Sequence, residues 1–269
     1  MPVPRPSSSR SRLARGRALA GIVAICGLSG CTGELAVFAA LAFSMSFGAW
    51  LVGRGRARQS LYEAEAMRLA IASGNHRGFE DHLRKQLALA AAGEAVSPER
   101  EWLARAQLGG LLVAEWRLAE ARDVYHSEEA LDSPHLAALA AFGRHELAVL
   151  TETPDEERLA QIRSDRDECL QHVPRAIRAD VERAWHAVEG LCLVRMGRAR
   201  EGVPLLEAGV QALEYNPALV VYLFHLGQAY EHIGERKLAA AKYEDAMNAF
   251  PGTRLASEAR ARVRALAPG

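Results

Sequence analysis

From residue 58 onward, apolar positions recur at i, i+3, i+4 and i+7, and alanine and leucine dominate. That is the spacing of one helix face. No block there alternates with a period of two, so no strand is expected. Proline and glycine fall between the periodic blocks, where they end helices. The last third is clearest. Asn216-Pro217 opens a helix to about His232, Gly234 ends it, and a second helix runs from Arg236 to about Phe250 before Pro251-Gly252. Two helices joined this way form an αα-hairpin. Similar blocks precede it, including 58–93, with Gly74 before a second helix at 75–92, and 133–172. The pattern predicts five hairpins and a closing helix at 255–266 with Arg260, Arg262 and Arg264 on its outer side. The expected class is all-α.

Residues 18–52 break this pattern: 35 residues carry one charge, Glu34. As one helix the stretch would be ~52 Å long, against a bilayer core of ~30 Å. The polar Ser29-Gly30-Cys31-Thr32-Gly33-Glu34 divides it into 18–30 and 35–52. The second part, at ~27 Å, is long enough to span, and the first, at ~20 Å, needs help from snorkelling arginines. Three readings stay open. The first is a transmembrane hairpin with both arginine clusters in the cytoplasm, as the positive-inside rule favours. The second is a lipoprotein signal, because Leu28-Ser29-Gly30-Cys31 behind a charged and then apolar segment resembles the bacterial lipobox. Cys31 would then be the lipidated residue. The third is a single span at 35–52 with the rest exported. The divisions are a basic segment at 1–17, a membrane-inserting region at 18–52, a basic flank at 53–58, a helical array at 59–252 and a capping helix with tail at 253–269.

Within the last hairpin, Leu226, Gly227, Tyr230, Gly234, Ala239, Tyr243, Ala246 and Pro251 follow one another at spacings of 1, 3, 4, 5, 4, 3 and 5. This resembles the tetratricopeptide repeat (TPR), a helix–turn–helix unit of about 34 residues. Gly227 and Ala239 are small where helices cross, Tyr230 and Tyr243 fill the space between them, and Pro251 stops the second helix. The best match covers residues 220–253. Gly190, Gly197, Gly202, Leu206 and Gly209 form a decayed copy, and Leu108, Gly109, Leu112, Ala121 and Tyr125 an older one with Trp116 at the turn. The resemblance implies an α-solenoid of about five TPR-like hairpins whose first helices line a concave face. The implied inward side chains are Phe224, His225, Gln228, Glu231 and His232, and in the preceding repeat Ala187, Val188, Leu191, Val194 and Arg195. An alternative is that the chain's own N-terminal hairpin or closing helix fills this face. The Lys/Asn/Arg set by which some TPR proteins clamp a C-terminal carboxylate is missing. The string Phe250-Pro251-Gly252-Thr253-Arg254 also resembles the turns of TPR-like envelope proteins.

Charge narrows the partners. The chain has 269 residues with 33 basic and 33 acidic, yet residues 1–58 hold eight arginines and one acid, a net of +7. The remainder holds 25 bases and 32 acids, a net of −7. An acidic array lacks the basic footprint that duplex nucleic acid needs.

Motifs for phosphate, nucleotide, hydrolase or zinc-protease chemistry do not occur. His225 and His232 lie seven apart, roughly 10 Å along a helix, too far to share one metal. Asp155-Glu156-Glu157 sits at a helix start, where acids favour the helix dipole. Asp165, Asp167 and Glu168 read as a solvated face. Cys169 and Cys192 read as small core residues, and Trp102, Trp116 and Trp185 as inter-helix packing.

Together these imply a non-catalytic scaffold or adaptor at the bacterial inner membrane, with no metal, cofactor or small-molecule substrate. Its concave face (Arg195, Phe224, His225, Gln228, Glu231, His232) would hold a protein or peptide partner. The repeats would face the cytoplasm. The alternative is a pilotin-like lipoprotein of envelope assembly facing the periplasm.

Overall fold

The computed structural model describes residues 73–93, 96–126, 134–214 and 216–267. All belong to the second of two compact units, residues 64–269. The membrane-inserting region, Cys31 and the first helix of the 58–93 block lie outside the described residues. Among the described residues the structure is all helical, and no helix is long and apolar enough to cross a membrane.

Ten α-helices follow in order: α1 His76–Ala91, α2 Pro98–Ala114, α3 Leu118–His126, α4 Pro134–Thr151, α5 Glu156–His172, α6 Arg178–Arg195, α7 Ala199–Val210, α8 Leu219–His232, α9 Arg236–Ala249 and α10 Arg254–Leu266. Their starts are written in the sequence. Asn75 caps α1, Ser97 caps α2 ahead of Pro98, and Thr253 caps α10. Asp155 accepts the Arg158 amide at 2.9 Å while Glu156 and Glu157 fill the first turn of α5. The acids there serve the helix dipole.

Three pairs, α2–α3, α6–α7 and α8–α9, share one internal geometry. Each turn residue has a left-handed backbone: Trp116 at φ 61°, Gly197 at 82°, Gly234 at 89°. The next residue's amide closes back on the first helix, Arg117 to Leu112 at 2.8 Å, Arg198 to Leu193 at 2.9 Å and Glu235 to Tyr230 at 2.9 Å. This is a Schellman closure, which favours glycine; Trp116 adopts it at the cost of a crowded Cβ. A glycine in each first helix marks the crossing. A Cβ on Gly227 would sit 2.7 Å from the Tyr243 ring, and one on Gly190 2.7 Å from the Leu206 amide. At Gly109 it would strike the Tyr125 ring. Ala239 and Ala246 are fully buried at the α8–α9 crossing.

The pairs stack in a row. The helices α2, α4, α6 and α8 touch in succession, and α10 covers α8 and α9. An open array lets each repeat touch only its neighbours. Here the row bends until α8 also meets α2. Gly110 makes this approach possible, since any Cβ there would run into the Asn216 side chain and come within 3.1 Å of the Ala218 amide nitrogen. Residues 108–114 of α2 and 220–227 of α8 are buried without a break. A helix segment buried on every side must be largely apolar, and both are, with His225 and the Tyr222 hydroxyl as the polar exceptions. A second link joins α1 to the end of α9. His76 Nε2 donates to the Pro251 carbonyl at 2.7 Å, its Nδ1 lies 2.6 Å from Glu115, and its ring stacks 4.4 Å from Phe250.

A carboxyl is buried where the ends meet. Glu146 of α4 is wholly covered; one oxygen accepts the Tyr125 hydroxyl at 3.2 Å and the other has no partner. Burial drives its carboxyl up to about 7, against the nearby hydroxyls of Tyr222 and Tyr125.

Candidate functional site

At the opposite end of α8 the inner face stays open. A cavity of about 380 Å³ lies between the end of α6, the start of α7, the C-terminal half of α8, the start of α10 and the Trp116 turn. Its apolar wall comes from Trp116, Val194, Ala199, Phe224 and Leu255, and its polar wall from Arg195, His225, Gln228, His232 and Glu258. Helical spacing places the α8 residues together, because 225, 228 and 232 recur at three and four.

The polar groups differ in their partners. His225 is 5% exposed, and its Nε2 has no hydrogen-bond partner. Burial pushes its imidazole down to about 4, the Arg195 charge adds to this, and a hydrogen bond with Gln228 opposes it. Arg195 Nη2 donates to the Glu152 carbonyl at 3.1 Å. Glu258 is held by Arg254 Nε at 3.0 Å, and that guanidinium lies 6.0 Å from the centre of the Trp116 ring. A cation over a tryptophan face is a favourable contact.

Five of the six residues expected on the concave face line this cavity: Arg195, Phe224, His225, Gln228 and His232. Glu231 does not. It accepts the Tyr243 hydroxyl at 2.8 Å and lies 3.6 Å from Arg262, so it ties α8 to α9 and α10. Phe224 is in the wall but covered, with its ring 5.6 Å from that of Tyr243. Phe224 therefore packs against its own hairpin. Of the preceding repeat, Val194 and Arg195 reach the cavity. Ala187, Val188 and Leu191 are core, because α4 and α8 close over that part of α6. Sequence reasoning missed Trp116, Leu255 and Glu258 as wall residues. Trp116 offered a signal, as the non-glycine residue at a turn that calls for glycine.

Among the described residues, no cluster of three or more His, Cys, Asp or Glu could hold a metal. Cys169 and Cys192 are free and buried, and burial pushes both thiols up, Cys192 to about 11. A thiolate nucleophile needs the opposite shift. His145 pairs with Asp165 at 2.7 Å, and Glu189 is clamped by Arg163 and Arg166 at 2.7 and 2.8 Å. These join α4 to α5 and α5 to α6, away from the cavity.

No family model matches this chain, and no curated protein or solved structure matches it either.

Proposed function

We propose that this chain is a non-catalytic scaffold of the TPR type, tethered to the bacterial inner membrane, that holds a protein or peptide partner in the open end of its inner face. The observation that carries the reading is the convergence of Arg195, His225, Gln228 and His232 on one cavity beside Trp116. These residues come from two hairpins, so the recognition surface needs the array. Support for the repeat type lies in the shared hairpin geometry: a left-handed turn residue and a glycine facing the bulky residue 16 positions on, as in Gly190–Leu206 and Gly227–Tyr243. The tether rests on residues 18–52 and the arginines at both ends of that stretch, with the repeats on the cytoplasmic side.

The binding test is site-specific photocrosslinking. A crosslinker at His232, exposed at the cavity, should capture a protein that the same group at Lys237, exposed on α9, does not. Equal capture at both positions would move the binding face elsewhere. For the tether, a C-terminal reporter active only outside the cytoplasm should stay silent. An active reporter, with lipid labelling lost in Cys31→Ser, would support instead the second reading from the Leu28–Cys31 motif, an envelope-assembly lipoprotein facing the periplasm.

A further inference from the structure

The cavity carries a charge that no carboxylate among the described residues answers. The arginines around it are matched by carboxylates. Arg198 pairs with Glu156 and Glu201, Arg158 with Glu152, and Arg254 with Glu258. Arg195 has a backbone carbonyl as its hydrogen-bond acceptor among the described residues, and no carboxylate. Its place in the last turn of α6 offsets part of the charge through the helix dipole and leaves further N–H groups of the guanidinium unfilled. The one acid on the wall, Glu258, is already engaged.

His225 gives an independent sign. It is more than nine-tenths buried in the cavity wall, and its Nε2 lacks a partner. A buried polar nitrogen left unpaired is costly. Gln228 and His232 add donors one turn apart on the same face. Opposite them stand Trp116 and Leu255. A wholly apolar occupant would strip water from Arg195 with nothing in return. A cation would meet Arg195 and, at the Trp116 edge, Arg254. An anion on a short apolar-flanked stem satisfies both walls.

We propose that the cavity receives an acidic side chain of a peptide, its carboxylate at Arg195 and Gln228 and an adjacent apolar side chain against Trp116. The inference rests on the scaffold reading above and names the chemistry its partner must supply. Arginine takes a carboxylate through two parallel N–H bonds, and this geometry gives specificity as well as strength. The anion also lifts part of the charge pressure on His225, whose proton affinity Arg195 depresses.

The experiment uses the full chain in detergent and three labelled octapeptides, read by fluorescence anisotropy. The first alternates leucine and glutamate and ends in an amide. The second replaces each glutamate with glutamine. The third is the glutamine peptide with a free C-terminal carboxylate. The glutamate peptide should bind at least tenfold more tightly than the amidated glutamine peptide. Arg195→Gln should shrink that ratio below threefold, Arg195→Lys should leave it intermediate, and Arg198→Gln should leave it unchanged. Equal binding of the glutamate and glutamine peptides overturns the acidic specificity and leaves the scaffold reading standing. Tight binding of the third peptide alone assigns the site to a chain terminus and overturns the side-chain proposal. A glutamate preference that survives Arg195→Gln overturns the assignment to this cavity. If none of the three binds, this proposal and the reading beneath it fall together.

Discussion

The two halves of α8 are one helix in two environments. Its N-terminal half meets α2, and residues 220–223 are buried, with the Tyr222 hydroxyl beside Glu146. Its C-terminal half faces the cavity, where His225, Gln228 and His232 present polar groups beside Arg195. The difference lies in what stands opposite. Gly110 in α2 lets the chain of α8 come close, whereas the α2–α3 turn carries Trp116, and the row is held open there. Packing at one end therefore fixes the shape of the cavity at the other.

The strongest test of that comparison is Gly110→Val. It drives side-chain atoms into Asn216 and Ala218, and the loss should reach 3 kcal/mol or more, because the backbones cannot separate without unpacking both helices. Thermal melting followed by circular dichroism would read it. A melting point within a degree of the parent would mean that α2 and α8 do not meet.

The next largest effect is a pH dependence with opposite signs at the two ends. Glu146, raised to about 7, binds its proton more readily folded than unfolded. Its contribution is fully present below the ordinary carboxyl range and is lost as pH rises to about 7. His225, lowered to about 4, behaves oppositely, and its contribution is lost as pH falls from the ordinary histidine range to about 4. The two slopes offset one another through weakly acidic pH. Glu146→Gln should add roughly 3 kcal/mol at pH 8 and little at pH 4.5, and should uncover the histidine limb. Urea denaturation at several pH values would measure both. If the variant and parent curves stay parallel, the buried carboxyl is not the source.

A smaller effect is expected at the turn. Trp116→Gly relieves a left-handed backbone strain of about 1 kcal/mol but removes the ring from the wall and from Arg254. Stability should change by less than 1 kcal/mol while the shape of the cavity changes, a split that denaturation combined with peptide titration would reveal. The smallest effect belongs to Gln228→Ala, which should lie within about 0.5 kcal/mol of the parent because its side chain is half-buried at an open surface. A loss of 2 kcal/mol there would mean that the open half is packed like the sealed half.

Much of this was legible in the sequence because hairpins are local. Gly227 and Tyr243 are 16 residues apart, and helix periodicity with glycine at the crossing fixes their meeting. The same spacing served Gly190 with Leu206 and Gly109 with Tyr125. The polar face of α8 followed from the same rule, apart from Glu231. A one-residue angular difference turns that side chain toward α9 and α10, where Tyr243 and Arg262 stand. Long-range closure was not legible. Gly110 reads as one more small residue in an apolar helix until Asn216 is placed against it, and the pair is more than 100 residues apart. Glu146 follows His145 in what reads as an ordinary polar dipeptide. The packing that buries it brings Tyr222 of α8 beside it, a residue 76 positions away.

The contact of His76 with Pro251 spans 175 residues. In an open row of repeats, folding can start anywhere and spread between neighbours, and the end units fray independently. A row whose ends are tied gains its last contacts only after every intervening hairpin has formed, and the loop to be closed is long. Such a protein should unfold as one cooperative unit, with the terminal hairpins as resistant to hydrogen exchange as the middle ones. Deleting α10, a loss that an open array would confine to its last repeat, should loosen α1 as well.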